Sequence, residues 1–193
     1  MNLKNKKMKK IILIFSLFLI ISCNNSVNNT GVTEEYKLKF EQQIEAWETF
    51  TNGFNKEDMD LTMSVVSDTV MWSPPNYNGN KILGYNEFKD AVQGYFTNFD
   101  EIVFKPGEGL IGSDDAYWSG SLYSSGETNP EPNVMRIYGT WYTKHTETGA
   151  PANNKWYGVL NFNEDNKIAS FSDWMDVNGM QVQIEQFLES SKN

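Results

Sequence analysis

The sequence has almost none of the residues that build disulfide frameworks and metal sites. Its 193 residues include one cysteine, Cys23, and one histidine, His145. A lone cysteine excludes an intramolecular disulfide, and one residue of each kind excludes the multi-ligand Cys and His sites that hold structural zinc. The sequence therefore predicts a domain that folds without disulfides, metal or cofactor.

Basic residues are scarce after the first 23 positions. Five of the 16 basic residues precede Cys23 and all 25 acidic residues follow it, which leaves 11 basic residues against 25 acidic ones, a formal charge of −14. Binding of nucleic acid requires lysine and arginine to neutralise phosphates, and anionic lipid attracts basic segments. The sequence therefore predicts no nucleic-acid partner and no electrostatic docking on lipid.

The motifs of nucleotide and calcium binding are also missing. The stretch "FKPGEGLIGSDD" (104–115) contains glycines but not the G-x-G-x-x-G pattern that opens a helix. The stretch "EDNKIAS" (164–170) lacks the ligand spacing of a calcium loop. No nucleophile motif or phosphate loop occurs elsewhere, so the sequence indicates neither a nucleotide-dependent nor a covalent mechanism.

The N-terminus has the pattern of an export signal. Five lysines precede an apolar run from Ile11 to Ile21, which is shorter than the roughly 20 residues of a membrane span. Ser22 and Cys23 follow, and this arrangement resembles a bacterial lipoprotein signal peptide (1–22) that is cut before the cysteine. The resemblance implies acylation of Cys23, with palmitate among the chains, a membrane-lipid partner and a place in the cell envelope. An ordinary secretory signal with an incidental cysteine is the alternative.

Apolar periodicity begins after a polar tether (23–33). Spacings of three and four residues predict an amphipathic helix that Gly53 ends, followed by a shorter helix with Asn55 as its N-cap and a third helix over 86–99. The first helix carries an apolar stripe of Tyr36, Phe40, Ile44, Trp47, Phe50 and Phe54.

The rest of the chain is predicted to form strands, followed by a final helix. Segments such as "NVMRIYGTWYTKHTE" and "NKWYGVLNFN" are rich in aromatic and β-branched residues, and turn residues separate them. Helices segregated from such a run of strands predict an α+β domain over 34–193. We expect a strongly curved antiparallel or mixed sheet around the N-terminal helices, a cone whose open end forms a pocket.

Three stretches, "ILGYNEF", "YGTWYTKHTETGAPANNK" and "NKIASFSDWMDVNGMQVQ", occur in an order that resembles the SnoaL-like branch of the nuclear transport factor 2-like superfamily. The resemblance covers about residues 34–186 and implies the cone-shaped fold. Members include polyketide cyclases, a ketosteroid isomerase, epoxide hydrolases, dehydratases and noncatalytic proteins, and many dimerise through the open face of the sheet. A fold shared by so many activities does not specify one of them.

Asp176, near the C-terminus, is the candidate catalytic group, and Asp173 lies three residues before it. Asp176 matches the pocket aspartate of the family, and the resemblance implies that it acts as a general acid or base. It also precedes Asn178 and Gly179 at a strand-to-helix junction, where aspartate commonly accepts backbone hydrogen bonds. Asp173 has the opposite parity in the strand, so we expect the two side chains to face opposite ways.

Aromatic residues are the candidate ligand contacts. Trp141 stands where the cyclases have the histidine partner of their aspartate, and His145 lies on the same strand face, at a solvated strand end or at the cavity mouth. We expect Trp141, Met135, Trp72, Tyr95 and either Trp156 or Tyr157 to line an aromatic cavity; ordinary core packing is the alternative.

Three functions follow as hypotheses. The first is an anchored protein that binds a small, largely apolar ligand without chemistry, because the proton-shuttling histidine is missing. The second is a cofactor-free lyase, isomerase or cyclase with Asp176 as its base. The third is a dimeric interaction module.

Overall fold

The structure, a computed structural model, describes residues 31–112, 115–120 and 129–192. The predicted signal peptide, Cys23 and most of the tether lie outside the described residues. Within the described part of the chain, no helix is long and apolar enough to cross a membrane.

The described fold is built from four helices and six strands. The helices are α1 (Glu34–Lys56), α2 (Met59–Ser64), α3 (Tyr85–Asn98) and α4 (Val177–Ser190). The strands are β1 (Val66–Ser73), β2 (Phe99–Pro106), β3 (Tyr117–Trp118), β4 (Val134–His145), β5 (Asn154–Phe162) and β6 (Ile168–Met175).

The strands form one mixed sheet in the order β1-β6-β5-β4-β2, with β3 paired to β4. Strands β1 and β6 run parallel, and the other pairs are antiparallel. The register shifts within the β1–β6, β2–β4 and β5–β6 pairs, and irregularities of this kind bend a sheet. The predicted α+β class with a curved mixed sheet is confirmed.

Helix α1 begins and packs as its sequence pattern predicts. The Thr33 side chain accepts a hydrogen bond from the Tyr36 amide and caps the helix, while Glu34 and Glu35 follow in the first turn. A stripe at spacings of three and four residues is buried, comprising Gln43, Ala46, Trp47, Phe50, Gly53 and Phe54. This stripe turns the aromatic side chains of α1 toward the sheet.

The prediction that Gly53 ends this helix and that Asn55 caps the next one is wrong. Helix α1 continues to Lys56, and Asp58 caps α2 by accepting a hydrogen bond from the Leu61 amide. Gly53 is needed for the crossing of the two helices, because a Cβ there would lie only 2.2 Å from the Thr62 hydroxyl oxygen.

The core fills the space between α1, α3 and the inner face of the sheet. Side chains alternate along β4, so that Met135, Ile137 and Trp141 face the helices while Tyr138 faces outward. The fully buried Trp47 of α1 stacks on Trp156 of β5 at a ring-centroid distance of 4.9 Å. The site lies at the edge of this aromatic core.

Candidate functional site

A small cavity of about 70 Å³ remains between α1, α3 and the inner face of the sheet. Its walls are mostly aromatic rings, namely Trp47, Phe50, Phe54, Trp72, Phe88, Tyr95, Trp141, Trp156 and Phe171. Four of the five predicted ligand contacts therefore line it. Met135 does not line the cavity and is fully buried in the core instead.

The carboxyl group in the cavity belongs to Asp173, a residue that sequence reasoning set aside. Its Oδ1 accepts a hydrogen bond from the Trp72 indole N–H at 3.3 Å, and its Oδ2 accepts one from the Trp156 indole N–H at 3.4 Å. Two neighbouring strands, β1 and β5, thus hold the carboxyl group of β6 from both sides.

A glycine allows Trp156 to reach Asp173. Gly158 is paired with Asp173 across the β5–β6 ladder, and the Trp156 ring lies over it. A Cβ at position 158 would lie 2.1 Å from the ring atom Cη2 of Trp156. Gly158 therefore leaves the room that the indole needs to extend across the ladder to the carboxyl group.

The surroundings of Asp173 favour its neutral form. Burial raises the pKa of its carboxyl group from 3.8 to about 6, and the hydrogen bonds from Trp156 and Trp72 oppose part of that rise. Burial and the nearby charge of Asp173 raise the pKa of the Tyr95 phenol as well. The carboxyl group therefore changes its charge close to neutral pH while the phenol keeps its proton.

Two of the other polar residues in the wall have their hydrogen-bonding groups committed elsewhere. The Asn154 side chain donates to the backbone oxygen of Asp176 and accepts from its amide, each at 3.1 Å. The Thr143 hydroxyl donates to the Ala152 carbonyl. The Tyr95 hydroxyl meets only the Met175 sulfur, at 3.9 Å. Asp173, Tyr95 and the Trp47 indole N–H, which has no hydrogen-bond partner among the described residues, are therefore the cavity-lining polar groups left to contact a ligand.

The prediction that Asp176 reaches the cavity is wrong. Asp176 follows the end of β6, is exposed and serves as the N-cap of α4, where its Oδ1 accepts a hydrogen bond from the Gly179 amide at 2.9 Å. The alternative, that Asp176 organises the strand-to-helix turn, describes this geometry. The expectation that the two aspartates face different ways holds, but the group inside is Asp173.

His145 lies at the end of β4 and does not line the cavity. Its Nδ1 and the Thr148 hydroxyl are 3.0 Å apart, and its ring contacts Phe99 edge-on. The histidine is thus part of the turn that leaves β4.

The outer face of the sheet carries a second row of aromatic side chains. Tyr157 belongs to this row rather than to the cavity, where it stacks between Tyr138 and Trp174. Trp174 is 53% exposed. Dimerisation through this open face stays a prediction.

The site residue that sequence reasoning missed had a signal. Parity along β6 places Phe171 and Asp173 on one face, and Phe171 is an apolar residue of a strand that must bury one side. Applied to Phe171 first, this rule would have directed Asp173 inward and excluded Asp176, which follows the strand.

Comparison with known proteins shows which known fold the domain resembles. No family model and no curated protein sequence matches the chain. A solved LEH-like epoxide hydrolase from M. tuberculosis is similar over 79% of this chain and 96% of that chain, with a TM-score of 0.54 and 13% identity.

Two other solved structures give the same result. A candidate isomerase from Bacillus subtilis matches over 76% of this chain and 95% of that chain, with a TM-score of 0.53 and 15% identity. A nuclear transport factor 2-like protein of unknown function from Burkholderia pseudomallei matches over 74% and 97%, with a TM-score of 0.52 and 16% identity. Likenesses at such low identity establish architecture and not activity. The described domain has the nuclear transport factor 2-like fold.

Proposed function

We propose that the domain binds a small, largely apolar molecule in the aromatic cavity and holds the polar group of that molecule against Asp173. The observation that carries the proposal is one half-buried carboxyl group, set among aromatic rings, that keeps free acceptor capacity after two indole hydrogen bonds. A buried polar group without a structural ion pair is costly to keep, which favours a binding role.

The size of the cavity limits the ligand. An engineered apolar cavity of about 150 Å³ admits benzene, whereas this cavity measures about 70 Å³. The present arrangement of side chains therefore accommodates a molecule smaller than benzene. A larger ligand requires movement of the wall, where Met175 and Met180 are the flexible side chains.

Thermal unfolding with a panel of small organic compounds tests this proposal. A compound that binds only the folded state raises the free energy of unfolding by about 2.7 kcal/mol at a concentration of 100 times Kd. The Ala91→Leu variant places extra volume in the cavity wall, so we expect it to fold but to lose the response. Asp176→Asn, at the exposed cap, is expected to respond as the wild type does.

Equal responses in Ala91→Leu and the wild type would place binding outside the cavity. If no compound of the panel raises the unfolding temperature of the wild type, the proposal is contradicted as well.

A second candidate function is proton transfer by Asp173, because its pKa of about 6 suits a general acid or base near neutral pH. The named activities of the solved neighbours, an epoxide hydrolase and a candidate isomerase, support a search for chemistry in this cavity. The reaction class would be cofactor-free enolisation or isomerisation, with Asp173 taking the proton next to a carbonyl group and Tyr95 donating a hydrogen bond to the oxygen.

Exchange of the protons of acetone with deuterated water, followed by NMR, tests this candidate. We expect wild-type protein to accelerate exchange above about pH 6 and Asp173→Asn to lose most of the acceleration, since a general base contributes about 10²–10⁴-fold. The matched variant Asp176→Asn should keep it. An unchanged exchange rate in Asp173→Asn would rule out Asp173 as the base.

We also propose that Cys23 carries the acyl chains that hold this domain at the bacterial cell envelope. The support is the leader pattern of residues 1–22 followed directly by the only cysteine.

A further inference from the structure

The cavity combines one negative group with aromatic walls, and no basic side chain is among the described residues that line it. We infer that the ligand is a small organic cation, an alkylammonium ion smaller than benzene that pairs with Asp173 and lies against the surrounding rings. This inference rests on the proposed function, since it names the chemical class of ligand for the same cavity. It specifies that the polar group of this ligand carries a positive charge.

The charged groups of the cavity wall admit only a positive partner. Among the described residues that line the cavity, Asp173 is the only acid and Tyr95 is the other titratable group; α1, α4, β1, β2, β4 and β5 contribute none. No described lysine or arginine lines the wall, so an ionised Asp173 has no cationic partner among the residues that form the cavity. Ionic groups in apolar surroundings need such a partner.

The aromatic wall adds a second reason. Trp72 and Trp156 direct their N–H edges, the positive edges of the rings, at the carboxylate from 3.3 and 3.4 Å, so any attraction for a cation comes from the faces of the wall rings. Aromatic faces attract cations, and walls of this kind recognise alkylated ammonium groups.

A neutral ligand makes poorer use of the same site. An alcohol offers the carboxylate a single hydrogen bond and leaves its charge uncompensated, and a ketone offers it no donor at all. A cation compensates the charge and therefore lowers the cost of keeping Asp173 ionised. The net negative charge of the chain also raises the local concentration of cations near the domain.

The experiment compares isopropylammonium, isopropanol and acetone, which have the same number of non-hydrogen atoms but differ in charge and donors. Binding is followed by the indole N–H signals of Trp72 and Trp156 in two-dimensional NMR of the ¹⁵N-labelled protein. Ligands this small bind in the micromolar range at best, so titration extends into millimolar concentrations.

We expect isopropylammonium to bind at least about tenfold more tightly than either neutral compound at pH 8. Its affinity should fall about tenfold between pH 8 and pH 5, because a carboxyl group with a pKa of about 6 is mostly protonated at pH 5. The affinities of the neutral compounds should not fall in this way. Asp173→Asn should remove the preference for the cation, and the matched Asp176→Asn should keep it.

Each other outcome overturns the inference, and the outcomes differ in what they say about the cavity. If isopropanol or acetone binds as tightly as the cation, the ligand class is wrong while the cavity remains a binding site. If Asp173→Asn binds the cation as well as the wild type, the cation binds elsewhere. If none of the three compounds shifts the indole signals, both the inference and the binding function proposed for this cavity fail.

Discussion

Replacing Cys23 with alanine is expected to release the protein from the membrane fraction. The thiol of Cys23 is the only one in the chain, so Cys23→Ala leaves no cysteine for acylation. Each buried CH₂ group of an acyl chain contributes about 0.8 kcal/mol to membrane binding, and two chains hold a protein far more firmly than one. We therefore expect the membrane-bound share to fall more than about tenfold.

Incorporation of labelled palmitate and partition into a detergent phase measure the change in cells that express the full chain. Ser26→Ala, three residues beyond the cysteine, is the control and should stay acylated and membrane-bound. If Cys23→Ala remains in the detergent phase, the apolar segment 11–21 or another surface holds the protein there, and acylation is not the anchor.

The fold class followed from the sequence because each of its signals is local and repeated. The stripe of α1 recurs at spacings of three and four residues, and Trp47 and Phe50 of that stripe are buried in the structure. In the β-rich second half, more buried and less buried side chains alternate along β4 and β5. A wrong assignment at one position does not change a pattern that extends over ten or more residues.

The short elements around α2 could not be predicted in the same way. Asn55 and Asp58 are both good capping residues three positions apart, and the choice depends on the tertiary contact between Gly53 and Thr62. Close packing of the two helices lets α1 continue past Gly53, and the cap moves to Asp58. The intrinsic capping preferences of single residues carry no information about that contact.

Most residues that line the cavity could be predicted from the sequence, but the volume of the cavity and the identity of its acidic residue could not. Alternation along β4 and β5 indicates which of Trp156 and Tyr157 faces inward only when the register with β6 is known. The free volume depends on how rings such as Trp47 and Trp156 stack, and their stacking leaves only about 70 Å³. The family resemblance implied Asp176, which lies three residues from the carboxyl group that the cavity contains.

An acid whose pKa is raised in the folded state, as that of the half-buried Asp173 is, makes the protein less stable as the pH rises. Asp173 titrates at 3.8 in an ordinary setting and at about 6 in the folded protein. Below about pH 4 it is neutral in both states, and its contribution to the free energy of unfolding is at its full value. Above pH 6 the folded state must hold an ionised group in apolar surroundings. That contribution is then lost, and it amounts to about 3 kcal/mol at 1.36 kcal/mol per pKa unit.

The Asp173→Asn variant isolates this effect from the other acids of the chain. Asparagine stays neutral at every pH. The free energy of unfolding of the variant should therefore rise by about 3 kcal/mol relative to that of the wild type between pH 4 and pH 8, whatever its absolute value. For a domain of this size the gain corresponds to roughly 6–12 °C in Tm. Urea unfolding of both proteins at each pH measures the difference between them.

Asp176→Asn serves as the matched control, because asparagine also caps helices well and position 176 is exposed. We expect its stability relative to the wild type to change much less over the same pH range. If the difference in free energy of unfolding between Asp173→Asn and the wild type stays the same from pH 4 to pH 8, the Asp173 carboxyl group titrates as an ordinary solvated acid. The apolar surroundings on which the binding, proton-transfer and cation proposals depend would then be absent.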